Sequence, residues 1–154
     1  MDSLIRHEQL MRVCFELAAS ARDKGNHPFG ALLALEDRII LTAENSVFSD
    51  HDITGHAEQN LVSIASRQLD SEMLEKLTLY TSTEPCAMCT GAIYWAGIRN
   101  VVYGCPAETL GEMAGGNFVV PCRHIFGYGK QLVKVVGPVL EKDAAAVHDG
   151  FWSF

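Results

Sequence analysis

The chain contains no long apolar run, no basic tail, no internal repeat and no low-complexity stretch. Each absence removes a class of protein. The opening segment "MDSLIRHEQLMRVCFELAAS" carries Asp2, Arg6 and Glu8 early, so it reads as neither a secretory signal nor a membrane span, and a cytoplasmic protein is expected. Twelve Lys and Arg face nineteen Asp and Glu, for a formal net charge of −7. From Gly104 onward four cations (Arg123, Lys130, Lys134, Lys142) stand against five carboxylates (Glu108, Glu112, Glu141, Asp143, Asp149). A protein built to grip a phosphate backbone carries a basic face or stripe, so nucleic acid is not the expected partner. The cysteines (Cys14, Cys86, Cys89, Cys105, Cys122) are odd in number and lack secretory context, which argues for reduced thiols or a metal site over a disulfide framework.

The length, 154 residues at 48% hydrophobic content, suffices for one substantial core and leaves nothing for a second domain, so a single domain over residues 1–154 is expected. Leu10, Cys14, Leu17, Ala18 and Ala21 recur at helical spacing, which predicts a helix over about residues 4–22 ending near "DKGN". "GALLALEDRIILTAEN" reads as two strands joined at Glu36-Asp37, the first apolar enough to lie centrally in a sheet. "SDHDITG" is a loop, and Ala57, Leu61, Ile64 and Ala65 mark a second helix. "LTLYTST" is a strand, and "PCAMCTGAIYWAG" a helix opened by proline and closed by glycine. "VVYG" and "LVKVVGPV" are further strands, and "EKDAAAVHDG" is a last helix. Strands alternating with helices imply an α/β domain with a mixed sheet of about five strands covered on both faces.

Two polar clusters stand out: "TGHAEQN" at residues 54–60 and "STEPCAMC" at residues 82–89. Cys86 and Cys89 lie three apart at the start of a predicted helix, where both sulfurs leave the same face and feel the positive end of the helix dipole. Two thiolates and one imidazole make a three-ligand zinc set with a fourth position for water, the arrangement of a catalytic site. His56 is the natural third ligand, because two helix starts can converge on one ion. Glu58 follows two residues on. In a regular helix that spacing points it away from His56, so the pair must occupy an irregular first turn where the carboxylate can lean over the metal. A zinc-bound water loses its proton near neutral pH, and an adjacent carboxylate can pass that proton to a ring nitrogen. His51, His124, Cys105 and Cys122 are available as a fourth structural ligand by composition, yet none lies in a paired spacing.

The order H-x-E…P-C-x-x-C is the signature of zinc nucleobase deaminases. The stretch from "NHPFGALLA" through "AEN", "TGHAEQN" and "LYTSTEPCAMCTGAIYWAG" to "VVYG" resembles the cytidine-deaminase-like superfamily, and within it guanine deaminases and tRNA adenosine deaminases. It covers about residues 26–104, roughly half of the chain. The resemblance implies a three-layer α/β/α domain, zinc on His56, Cys86 and Cys89, Glu58 as proton shuttle, and a homodimer. It also implies that Asn45 and the backbone N–H of Ala57 bind the base and that Phe29 and Trp95 wall the pocket. Asn45 has an alternative use, since Asn after a strand often makes a turn. Trp95 and Phe29 have one too, as core or interface residues.

Past residue 104 the sequence departs from the pattern. Where guanine deaminases are expected to hold an acidic side chain, an ungapped comparison places Asn117, with Glu108 and Glu112 a little upstream. The tail "HDGFWSF" is aromatic where tRNA-editing relatives are basic; it either closes the pocket or docks on the core. The expected activity is hydrolytic deamination of a free base or nucleoside, with a guanine-type purine first. The alternatives are a tRNA adenosine deaminase, a deaminase of a cytosine-type or other aminated ring, and a non-catalytic zinc scaffold.

Overall fold

The computed structural model describes residues 2–152. Helix α1 (Ser3–Asp23) is capped by Asp2, whose carboxylate accepts the Leu4 N–H at 3.0 Å, and it buries a stripe of Leu10, Met11, Cys14, Ala18 and Ala21 at helical spacing. β1 (Gly30–Leu35) and β2 (Arg38–Glu44) form a hairpin. There follow α2 (Val47–Asp50), α3 (Ala57–Gln68), α4 (Ser71–Lys76), β3 (Thr78–Thr83), α5 (Ala87–Ala96), β4 (Asn100–Cys105), α6 (Ala107–Ala114), α7 (Cys122–Phe126), β5 (Lys134–Val136) and α8 (Glu141–Ala146).

The strands make one mixed sheet in the order β2-β1-β3-β4-β5. β1 runs antiparallel to β2 and β3, whereas β3, β4 and β5 are parallel. Successive strand side chains point to opposite faces, and the core divides accordingly. Ala31 and Leu33 pack with Leu61, Ile93 and Phe126 from α3, α5 and α7. Leu32 and Ala34 pack with Leu10, Met11 and Cys14 of α1. β1 is therefore apolar throughout because both its faces are covered, giving the three α/β/α layers. Each large apolar side chain so buried contributes about 1.5–3 kcal/mol. Gly30 admits α1 onto β1: a Cβ there would sit 2.5 Å from Leu17 Cβ and 2.6 Å from the Cys14 carbonyl oxygen.

The register decides where chemistry can gather. Gly30 pairs with Glu44, Ala31 with Thr81, and Thr83 with Cys105, so one sheet edge collects the start of β1 and the ends of β2, β3 and β4. Ligand sites of parallel sheets lie outside such carboxyl ends. Between β4 and β5 no helix was expected, yet α6 and α7 form there. The "SDHDITG" region contributes to α2, one turn held from outside by Asn26, whose Oδ1 accepts the Phe48 and Ser49 N–H groups at 3.0 Å each. α4 is also additional, capped by Asp70 on the Met73 N–H at 2.9 Å. Pro85 precedes the α5 cap and does not occupy its first turn. Among the described residues no helix is long and apolar enough to cross a membrane.

Candidate metal centre

His56 is the N-cap of α3 and Cys86 the N-cap of α5, and Cys89 lies in the first turn of α5. With ψ 151° the backbone of His56 is extended. His56 and Glu58 therefore do not share a helical register, and the irregular first turn that the chemistry needs is present. The ligand atoms of His56, Cys86 and Cys89 lie within 4.8 Å of one another; His56 Nδ1 is 3.5 Å from Cys86 Sγ and 3.6 Å from Cys89 Sγ. Tetrahedral zinc, with bonds of about 2.3 Å to sulfur and about 2.0 Å to nitrogen, sets that N···S separation near 3.5 Å. Two soft sulfurs, one imidazole and this spacing fit zinc. The Cys86 thiol is brought down to about 4 by hydrogen bonding from Cys89 and next from His56, while Cys89 is pushed up by the same sulfur–sulfur contact and by burial. His56 is raised, first by its hydrogen bond to Cys86.

Glu58, 6% exposed, sits on the second residue of α3. Burial, then the charge of Cys86, raises its carboxyl to about 7; its own backbone N–H, His56 and the Thr81 hydroxyl act the other way. A carboxyl so placed holds or yields a proton near neutrality, as a general acid–base requires.

Asn45, 1% exposed, does two things. Its Oδ1 accepts the Val47 N–H at 3.1 Å, which is the turn-forming use, while its Nδ2 is buried without a partner among the described residues. Ala57 is buried and opens α3, where its N–H has no acceptor within the helix. Phe29 stands beside them, its carbonyl accepting the Asn45 N–H at 3.0 Å. Trp95 is elsewhere: it is 84% exposed on the outer side of α5, in a surface groove with Tyr94, Arg99 and Tyr128. Asn117 is exposed in the turn after α6, and Glu108 and Glu112 lie on α6, in the segment whose Gly116 and Phe118 line a cleft that reaches Cys86. The remaining cysteines, Cys14, Cys105 and Cys122, are buried and unpaired.

Several neighbours carried no signal in the sequence. His148 is 2% exposed on the tail, between Trp152 Nε1, which donates to its Nδ1 at 3.1 Å, and Thr83 Oγ1, 3.1 Å from its Nε2. Indole N–H only donates, so His148 carries its proton on Nε2. Burial, aided by Arg22 and opposed by Asp149, lowers its pKa to about 4. Phe29 packs on His148 with ring centroids 5.3 Å apart, and His27 on Trp152 at 5.1 Å. The tail thus docks on the core beside Phe29; Ser153 and Phe154 lie outside the described residues. Glu84 is buried too, held by backbone N–H groups from two helices.

Comparison with known proteins agrees with this geometry. The cytidine and deoxycytidylate deaminase zinc-binding region matches residues 4–105. A probable cytosine deaminase of Schizosaccharomyces pombe is 41% identical over 148 residues, 92% of this chain and 90% of that protein. A tRNA-specific adenosine deaminase of Buchnera aphidicola is 36% identical over 105 residues, 68% of this chain and 70% of that one. The solved guanine deaminase of Nitrosomonas europaea superposes with a TM-score of 0.78 at 26% identity, covering 89% of this chain and 79% of that one.

Proposed function

The chain belongs to the cytidine and deoxycytidylate deaminase family, and from that premise we propose that it is a single-domain, zinc-dependent hydrolytic deaminase of a free nucleobase or nucleoside. One observation carries the reading: the buried carboxyl of Glu58, in the first turn of α3, stands beside a His56, Cys86, Cys89 set whose three ligand atoms suit a zinc with a fourth position for water. Zinc, when bound, supplies a Lewis acid and lowers the pKa of water into the neutral range. With zinc in place, Glu58 would carry two protons in turn: one from the attacking water to the ring nitrogen beside the amino-bearing carbon, and a second from the newly added hydroxyl to the amino group, which then leaves as ammonia. Asn45 Nδ2, without a partner among the described residues, and the Ala57 N–H, which has no acceptor within α3, hold the ring from one edge. Two donors suit a ring that carries a carbonyl oxygen, which guanine and cytosine have and adenine lacks.

A guanine-type purine is the first substrate choice. A cytosine-type ring is the second, because the 41% identity to the probable cytosine deaminase runs through nearly the whole chain and not only the metal-binding half. Ammonia release from guanine, guanosine, cytosine, cytidine and adenosine by the zinc-loaded protein decides the matter. Release from none of them refutes the proposal, and release from tRNA alone transfers it to the editing reaction. One observation favours that editing reading: Arg99 and Lys130 gather with Tyr94, Trp95 and Tyr128 around one surface groove. We assign this face instead to a homodimer, since Trp95, Tyr128 and Leu132 leave a wide apolar area open to water. A monomer by light scattering at micromolar concentration contradicts that assignment. Five cysteines with no disulfide among them suit the reducing cytoplasm.

A further inference from the structure

The segment between β4 and α7 forms a strap whose two ends meet at one side chain. Glu84 Oε1 accepts the Ala107 N–H at 2.9 Å and Oε2 accepts the Cys122 N–H at 2.7 Å. These are the first residues of α6 and α7, and the cap positions, Pro106 and Pro121, offer no side-chain cap of their own. The Glu84 carboxylate therefore replaces both missing caps, with charge of the favourable sign for a helix start. Its own backbone is fixed as well, the Glu84 N–H donating to the Cys105 carbonyl at 2.7 Å. Between the tethers the strap closes on itself, since a Cβ on Gly111 would lie 2.7 Å from Val119 Cγ2. The strap lines an apolar cleft of about 110 Å³ that reaches Cys86, with Leu110 on one side and the solvent-exposed Phe118 and Val119 at its rim.

We infer that Glu84 is a positioning residue for the base site: one carboxylate tethers both ends of the strap over residues 106–122 and so sets the apolar wall beside the metal ligand Cys86. The inference rests on the deaminase reading above. Glu84 bears on how the ring is held and not on proton transfer, because its two oxygens are both engaged by backbone amides.

The test uses the zinc-loaded full chain and two substitutions. Glu84→Gln keeps the length but turns one acceptor into a donor facing an N–H; Glu84→Asp keeps the charge but is too short to reach both amides. Each retains zinc and raises KM for the base that the wild type accepts about tenfold or more, with kcat within a few-fold, as expected when a charge-assisted tether is lost. Amide hydrogen exchange in both variants quickens at the start of α6 and of α7 together. Zinc loss, or a fall in kcat with KM unchanged, overturns the inference, because Glu84 then acts on the metal through Pro85 and Cys86. An effect in Glu84→Gln alone overturns it as well, since local charge and not the double tether then matters. Should the Glu84 variants fail to fold, Gly111→Ala, which forces α6 and Val119 apart with the tethers intact, decides: an unchanged KM refutes the role of the strap. The exchange measurement needs no substrate, so a wild type that deaminates nothing refutes the deaminase reading and leaves the tether independently tested.

Discussion

Acid should loosen the tail through His148, and the size of the effect follows from its surroundings. The ring is neutral in the folded chain, with Nδ1 accepting from Trp152 and Nε2 toward Thr83. Protonation would set an N–H against the indole N–H. Its pKa falls from an ordinary 6.5 to about 4. Between those values the unfolded chain binds a proton that the folded chain refuses, so stability declines as pH falls from 6.5 and this contribution levels off below 4. At ~1.4 kcal/mol per unit, the loss is about 3 kcal/mol over the window. The chain has two tryptophans, Trp95 and Trp152, so Trp95→Phe leaves Trp152 as the sole reporter at the site of the effect. Urea unfolding followed by its emission, at pH 7 and pH 4.5, should be compared with the same protein carrying His148→Gln, which is uncharged throughout. Carboxylates and metal ligands titrate in both proteins and drop out of the difference. The stability advantage of His148 over Gln should shrink by about 2–3 kcal/mol on acidification. If that difference is the same at both pH values, His148 does not hold the tail through its neutral form.

The purified protein should carry about one zinc per chain, and Cys86→Ala or His56→Ala should lose it with a marked fall in melting temperature; a wild type that is folded and metal-free contradicts the site. Glu58→Gln should keep zinc and fold yet lose turnover by about 10²–10⁴ or more, whereas zinc loss in that variant would make the carboxylate structural. Asn117→Asp, at an exposed turn, should leave the relative rates across the base panel unchanged, and a shift toward guanine would place Asn117 at the ring after all. Binding to tRNA should be weak and vanish as salt rises, given few phosphate contacts; tight, salt-resistant binding favours the editing reading.

The fold was readable wherever pattern and partner lay close in the chain. β1 is apolar at consecutive positions because both faces are covered, and "GALLAL" states this directly. Cys86, Cys89, His56 and Glu58 were readable as a set because each opens a helix that follows a strand or turn, and the register carries both helix starts to one edge. Trp95 shows information present but overridden. On α5 the buried residues are Cys89, Thr90 and Ile93, and two steps past Ile93 turns about 200° around the helix, to the far side. The resemblance implies Trp95 as a pocket wall, with a core or interface role as its alternative, and in this chain it stands exposed on the outer side of α5. Asn26, Glu84 and His148 carried no usable pattern, since each has a partner 22 to 65 residues away that only the folded chain brings near. Asn117 depended on an ungapped comparison through a turn at Gly115-Gly116, where loop length is free to vary.

The site also argues against a purely structural zinc. A scaffold gains stability from each polar group it satisfies, and a buried one left unpaired costs about 1–3 kcal/mol. Here, among the described residues, Asn45 Nδ2 is buried without a partner, the Ala57 N–H opens a helix with no acceptor in it, and Glu58 is a buried carboxyl that burial shifts toward its protonated form. All three lie at the sheet edge that holds His56, Cys86 and Cys89. Rigid neighbours sustain the cost: Asn45 is fixed through its Oδ1 by Val47 and through its N–H by Phe29, and Glu58 by the first turn of α3. The two donors, held in place yet left without partners, reduce stability and contribute nothing to a closed metal site. They do serve a ring whose own acceptors complete them, and that ring would then meet the carboxyl that moves the proton.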